Sequence, residues 1–239
     1  MKKYELTKET VTISGKTLYR IRAVRDFGSV KTGEFGGYIE KEENLSHFDN
    51  AWVCGDAKVF GKARVRGNAQ VRGNAWVYGN AQVCGKAKVS GNAQVCRNAE
   101  VSGNAWVFDN AWVRGNAQVF GKAWVCGNAQ VCGNAWVFGK AWVRGNAQVC
   151  GNAWVCGNAE VSNTRHYFVQ GPIGSRDGFA TFYRTKDDTV AVKCGCFLGS
   201  LQEFVNQVEK THKGNKYEKE YKLAAELAKV CIRLEGESK

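Results

Sequence analysis

From residue 49 to residue 162 the chain repeats itself every six residues, nineteen times without a gap. The unit is G-N-A-x-V-x, as in Gly67-Asn68-Ala69-Gln70-Val71-Arg72. Ala holds its place in every unit from Ala51 to Ala159, and Val in every unit from Val53 to Val161. Gly holds its place in sixteen of the nineteen, with Asp49, Arg97 and Asp109 as the exceptions. A looser unit, 43–48, precedes the array. Alternate side chains of an extended segment point to opposite faces, so Ala and Val share one face and the two variable residues the other. Gly-Asn suits a corner because both residues tolerate positive φ. A helical stripe needs a 3.6-residue period and is excluded. What remains is a parallel β-helix, each coil stacked on the last, with Ala and Val inside.

The array resembles the hexapeptide-repeat family, whose pattern is an aliphatic residue followed four places later by a small one. Val53 with Ala57, and Val125 with Ala129, match it. The resemblance covers about half the chain and implies a left-handed parallel β-helix with three units per coil. Residues 43–162 then make about seven coils, a prism roughly 30 Å tall at ~4.8 Å per coil. Residues 1–42 flank it as an N-terminal β cap and residues 163–239 as a small C-terminal α+β domain, so the expected class is mainly β.

Three units per coil put residues eighteen apart into one column. Trp106, Trp124 and Trp142 then share a column. Trp136 and Trp154 share a second, beside one holding Phe120 and Phe138, and Cys132 neighbours Cys150. All eight Trp occupy the outward position between Ala and Val. Two readings follow. The columns are ladders that hold coil to coil, or they are contact surfaces, since large exposed apolar patches mark interfaces. Members of the family it resembles are commonly trimers with their prisms side by side, so a homotrimer through these columns is the expectation. An ice-binding surface is not, because it needs flat Thr arrays and no outward position of the array is Thr.

The two ends are not repetitive. Residues 11–14 and 17–24 alternate around Gly15-Lys16 and predict a hairpin. Gly33, Gly36 and Gly37 then allow a tight passage into the first coil. The hairpin's expected task is to cover the backbone edges at the end of the solenoid. Arg20 and Arg22 share one face of its second strand and are candidate anion ligands. Beyond Ser162, residues 179–183 and 189–192 predict a second hairpin around Lys186-Asp187-Asp188. Ser200-x-x-Glu203 is a capping box that opens a helix. A second helix is expected from about Tyr217 to Leu234, giving a ββαα unit. The stretch from Gly171 to Arg176, together with Cys194-Gly195-Cys196-Phe197 and Gly36-Gly37-Tyr38-Ile39-Glu40, resembles segments that accompany hexapeptide arrays in phage and prophage proteins. That likeness often carries a transferase label and no settled activity.

The best-known enzymes of the hexapeptide-repeat family are acyltransferases with a His base and an acyl-CoA donor. This chain has three His: His47 in the degenerate first unit, and His166 and His212 outside the array. No inserted loop interrupts the coils. Acyl transfer with His166 or His212 as base is the alternative reading, weakened because a base must reach its proton and neither His is obviously placed to do so. Cys194 and Cys196 with His212 offer metal-ligand types at an undiagnostic spacing, and strand parity places both thiols beside Val190 and Val192 as core residues. No metal and no cofactor is expected. Ten Cys without a CxxC pair or an export signal fit reduced thiols in the cytoplasm. No apolar run approaches the ~20 residues needed to span a bilayer. Lys and Arg outnumber Asp and Glu 34 to 22, for a net charge of +12. Such a surface favours anionic partners: a nucleotide, a nucleic acid stacked on the Trp columns, or an acidic protein. The expected function is non-enzymatic, either sequestering an anionic ligand such as a nucleotide signal or gripping a host protein. Specificity is expected at the C-terminal end, at Gly174, Ser175 and above all Arg176.

Overall fold

The computed structural model describes residues 2–234. Three strands precede the repeats: β1 (Tyr4–Ile13), β2 (Lys16–Ala23) and β3 (Phe35–Ile39). Nineteen two-residue strands follow, one per hexad, from β4 (Trp52–Val53) to β22 (Glu160–Val161). Each is the x-V pair of its unit and pairs in parallel with the strand three units on, so Trp106 lies beside Trp124 and Trp124 beside Trp142. The product is a parallel β-solenoid of about seven coils with three flat faces. Every Ala and Val of the array is buried, none more than 1% exposed. The inward pattern is thus the core itself.

The corners depend on glycine for two reasons. At Gly139 φ is +73°, and a Cβ there would lie 2.9 Å from the Gly157 nitrogen one coil on. Positive φ and close stacking of backbones both disfavour a side chain, although Asp49, Arg97 and Asp109 hold the same place at φ of +54°, +62° and +58°. The Asn that follows contributes a ladder along each corner. Asn74, Asn92, Asn110, Asn128 and Asn146 pass amide hydrogen bonds from coil to coil. So do Asn80, Asn98, Asn116, Asn134 and Asn152. The third corner begins the same way, with Asn50 donating to Asn68, and is then interrupted by Lys86, Lys122 and Lys140.

The N-terminal hairpin is continuous with the prism. β1 and β2 are antiparallel, β3 joins β2, and β3 then pairs in parallel with Lys58-Val59, extending one face of the solenoid. Gly36 and Gly37 serve close approach rather than turning. A Cβ at Gly36 would meet the Val53 carbonyl oxygen at 2.6 Å, and one at Gly37 the Ala57 oxygen at 2.6 Å. Tyr4, Ile21, Ile39 and Leu45 plug the open end of the Ala/Val core. Lys3 is fully buried there. Its ammonium donates to the carbonyls of Ala51 (2.7 Å), Phe48 and Asp49 (both 3.4 Å), and burial holds its pKa down to about 8. Trp52 points outward like the other Trp but is only 4% exposed, because Phe27 packs edge-on against it at 5.2 Å.

The C-terminal unit comprises β23 (Tyr167–Ile173), β24 (Gly178–Arg184), β25 (Val190–Cys194), β26 (Phe197–Ser200), α1 (Leu201–His212) and α2 (Lys216–Cys231). The four strands form one antiparallel sheet in chain order. The sheet therefore has four strands where the sequence pattern predicted two. The strands the pattern missed, β23 and β26, are its edges, where Gly171-Pro172 and Gly199 are tolerated. Alternation along β24 divides its work. Thr181 accepts the Trp154 N–H at 3.0 Å and Tyr183 reaches Cys156 at 3.2 Å, closing the last coil. Ala180 and Phe182 face the helices, in a core with Phe204, Val208, Ala224 and Ala228. Ser200 and Glu203 form the expected capping box on α1. No helix among the described residues is long and apolar enough to cross a membrane.

Two expectations about cysteine are corrected. Cys132 and Cys150 are joined as a disulfide across adjacent coils, whereas reduced thiols were expected throughout; stacking brings their Cα atoms to 4.6 Å, within bonding reach. Cys196 does not share a core face with Cys194 but is exposed in the turn between β25 and β26.

Candidate functional site

The C-terminal residues expected to hold an anion form the β23–β24 turn. Ser175 and Arg176 are exposed there. The Gly174 N–H donates to the Glu220 carboxylate at 2.8 Å, and a Cβ at Gly174 would overlap the Tyr221 hydroxyl. The donor that a loop of this kind would offer to a phosphate is thus held by a carboxylate of the chain itself. Nearby, Cys194, Tyr221 and His212 line a small cavity of about 190 Å³ with Phe197, Phe204, Gln207, Val208 and Thr211. Burial pushes the Cys194 thiol up and Tyr221 to about 12, so neither is an activated nucleophile near neutrality. No cluster of three or more His, Cys, Asp or Glu among the described residues is arranged to hold a metal ion.

His166 is only 7% exposed. Its Nδ1 lies 3.3 Å from the Ser162 N–H and 3.4 Å from the Arg184 guanidinium, and its Nε2 is 2.8 Å from the Asn163 amide. These contacts tie the last coil to the C-terminal unit. His47 stacks on Tyr4 at 4.2 Å as part of the N-terminal plug. Arg20 and Arg22 pair with Glu9 and Glu5 of β1, and Arg20 also lies over the rings of Phe35 and Tyr38. Glutamates on the neighbouring strand neutralise both arginines.

The aromatic columns use their ring faces internally. Trp106, Trp124 and Trp142 stack at 5.3 and 5.1 Å with interplanar angles of 7° and 1°. Lys88 covers the outer face of Trp106 at 4.5 Å and Lys186 that of Trp142 at 3.8 Å. Trp136 stacks on Trp154 at 4.9 Å, and Phe120 on Phe138 at 5.0 Å. The Trp106–Trp142 column offers solvent ring edges rather than open faces, and a nucleic-acid base needs an open face to stack. Trp106, at 37%, is the most exposed of them.

A larger cavity lies at the other end of the molecule from the expected site. It is a groove of about 480 Å³ between the loop joining β2 to β3 and the first coils. Phe27, Val30, Trp52 and Cys54 are the apolar part of its lining; Ser29, Glu34, Asn50, Asn68, Gln70 and Arg72 are the polar part. Its residues come from a loop and from alternate positions of two coils, so no contiguous motif marks it. The one local signal was the break in the third Asn column.

Residues 129–145 match a family model described as the YdcK Beta solenoid repeat. No curated protein matches the chain. The three-faced stack and this match make the chain a β-solenoid repeat protein.

Proposed function

We propose that the chain is a non-enzymatic binding protein that captures an anionic ligand, such as a nucleotide, on a rigid β-solenoid. The observation that carries this reading is the third corner of the prism. There Lys86, Lys122 and Lys140 replace the Asn that forms an unbroken ladder along five coils of each of the other two. The substitution gives up ladder hydrogen bonds and gains a basic ridge, which raises the local concentration of anions. Acyl transfer draws less support, because the ring nitrogens of His166 are engaged by Ser162, Asn163 and Arg184. A phage or prophage setting, and a host protein as the target, rest on the sequence resemblance alone. Association into a homotrimer through the edges of Trp106, Trp124, Trp142, Trp136, Trp154, Phe120 and Phe138 belongs to the same proposal.

The test is a thermal-shift panel of mono-, di- and cyclic nucleotides beside CoA thioesters. A ligand at a hundred times its Kd stabilises by about 2.7 kcal/mol. Stabilisation by a nucleotide supports the reading. Stabilisation by an acyl-CoA with turnover lost in His212→Ala would replace it with the enzyme. Sedimentation of a stable monomer at micromolar protein removes the trimer.

A further inference from the structure

We infer that the groove between the β2–β3 loop and the first coils is the binding site for a small organic oxyanion, a carboxylate or phosphate monoester carried on an apolar group. The inference rests on the anion-binding reading and gives it a place and a chemistry.

The polar part of the lining offers donors whose own acceptors are already used. Asn68 Oδ1 accepts from Asn50 at 3.1 Å. In the other two columns the Asn Nδ2 would donate to the next Asn, but the residue one coil beyond Asn68 is Lys86, which has no acceptor. Asn68 Nδ2 therefore has no partner among the described residues. Gln70 Oε1 accepts from the Arg72 guanidinium, and Gln70 Nε2 has no partner among the described residues. Arg72 is exposed and has no carboxylate partner among the described residues, so the rest of its fork is open. The lining carboxylate, Glu34, accepts the Lys31 N–H at 3.2 Å, within its own loop. Three free donors from one coil, one of them a guanidinium, select an oxyanion.

Apolar groups complete the lining. Phe27, Val30 and Trp52 contribute them, and the indole Nε1 of the buried Trp52 has no hydrogen-bond partner among the described residues. A cavity of about 480 Å³ falls within the ~300–1,000 Å³ of small-molecule sites. Lys86 and Lys88 sit one coil further along, beyond Asn68 and Gln70, so the basic corner leads into the groove.

Phenyl phosphate and benzoate are the probes, with inorganic phosphate as control, titrated by calorimetry into the full chain and into Arg72→Ala and Arg176→Ala. Arg72 is exposed, so its replacement leaves the fold intact. The expected result is that one probe binds with one-to-one stoichiometry and more tightly than inorganic phosphate. Which probe binds distinguishes phosphate from carboxylate. Arg72→Ala should weaken it roughly 10- to 100-fold, the scale of hydrogen bonds to a charged group, and Arg176→Ala should leave it unchanged. Equal affinity in Arg72→Ala, or failure of both probes to bind, overturns the inference. The anion-binding reading fails separately, if the nucleotide panel also leaves the melting temperature unmoved.

Discussion

Gly139 and Gly157 occupy the same corner column, one coil apart, with φ of +73° and +65°. Their surroundings differ. A Cβ at Gly139 would meet the Gly157 nitrogen at 2.9 Å, whereas one at Gly157 would find nothing within 4 Å, because the column ends there. An alanine at either site pays for left-handed backbone, about 1–2 kcal/mol, less ~0.4–1 kcal/mol from a stiffer unfolded chain. Gly157→Ala should therefore cost about 1 kcal/mol. Gly139→Ala must also push two coils apart, and overpacking of this kind adds roughly 1–3 kcal/mol, for a total of about 2–4 kcal/mol. Urea unfolding followed by circular dichroism measures both, provided the denaturant slopes match. Asp109 shows how a side chain is accommodated in such a column: its carboxylate accepts the Gly127 N–H at 3.1 Å. Gly139→Asp should accordingly recover part of the loss. Costs at Gly139 and Gly157 that agree within ~0.5 kcal/mol would show that close stacking of the corners is not what demands glycine.

Three further outcomes are expected. Trp124→Ala removes two stacked neighbours and should destabilise by about 1–3 kcal/mol at ~0.5–1.5 kcal/mol per aromatic pair, with loss of the exciton-coupled tryptophan band in the far-UV circular dichroism; an unchanged band would show that the column is not stacked in solution. For Lys3 the folded pKa of about 8 lies below its ordinary 10.5, so between these values the unfolded chain binds more protons and stability rises with pH; Lys3→Met should flatten that rise, and an identical pH profile would contradict the buried ammonium. Alkylation of the denatured, unreduced chain should count eight free thiols, Cys132 and Cys150 being spared, and reduction should lower stability by ~3 kcal/mol, as expected for a short closed loop; ten free thiols would exclude the pairing.

The hexad period carried the architecture because every contact that defines the solenoid recurs. With Ala and Val at fixed places, one corner conformation and one stacking offset serve all nineteen units. The column of Trp106, Trp124 and Trp142 and the proximity of Cys132 to Cys150 were legible for the same reason. The capping box at Ser200 and the start of α2 were legible because helix starts are written locally, whereas α2 stops at Cys231, short of the expected Leu234.

What the sequence left open depends on groups that meet once, across long separations. The Gly171–Arg176 stretch reads as an anion cradle until α2 brings Glu220 onto the Gly174 N–H, forty-six residues away. The column of Trp106, Trp124 and Trp142 reads as an open stacking surface until Lys88 and Lys186 cover its ends. The groove is assembled by a loop that folds over Trp52 and by side chains from two coils, none distinctive alone. A period determines which residues are neighbours along a repeating lattice. Only tertiary packing decides which unique side chain fills the space at each end, because that choice rests on non-repeating contacts that leave no pattern in the chain.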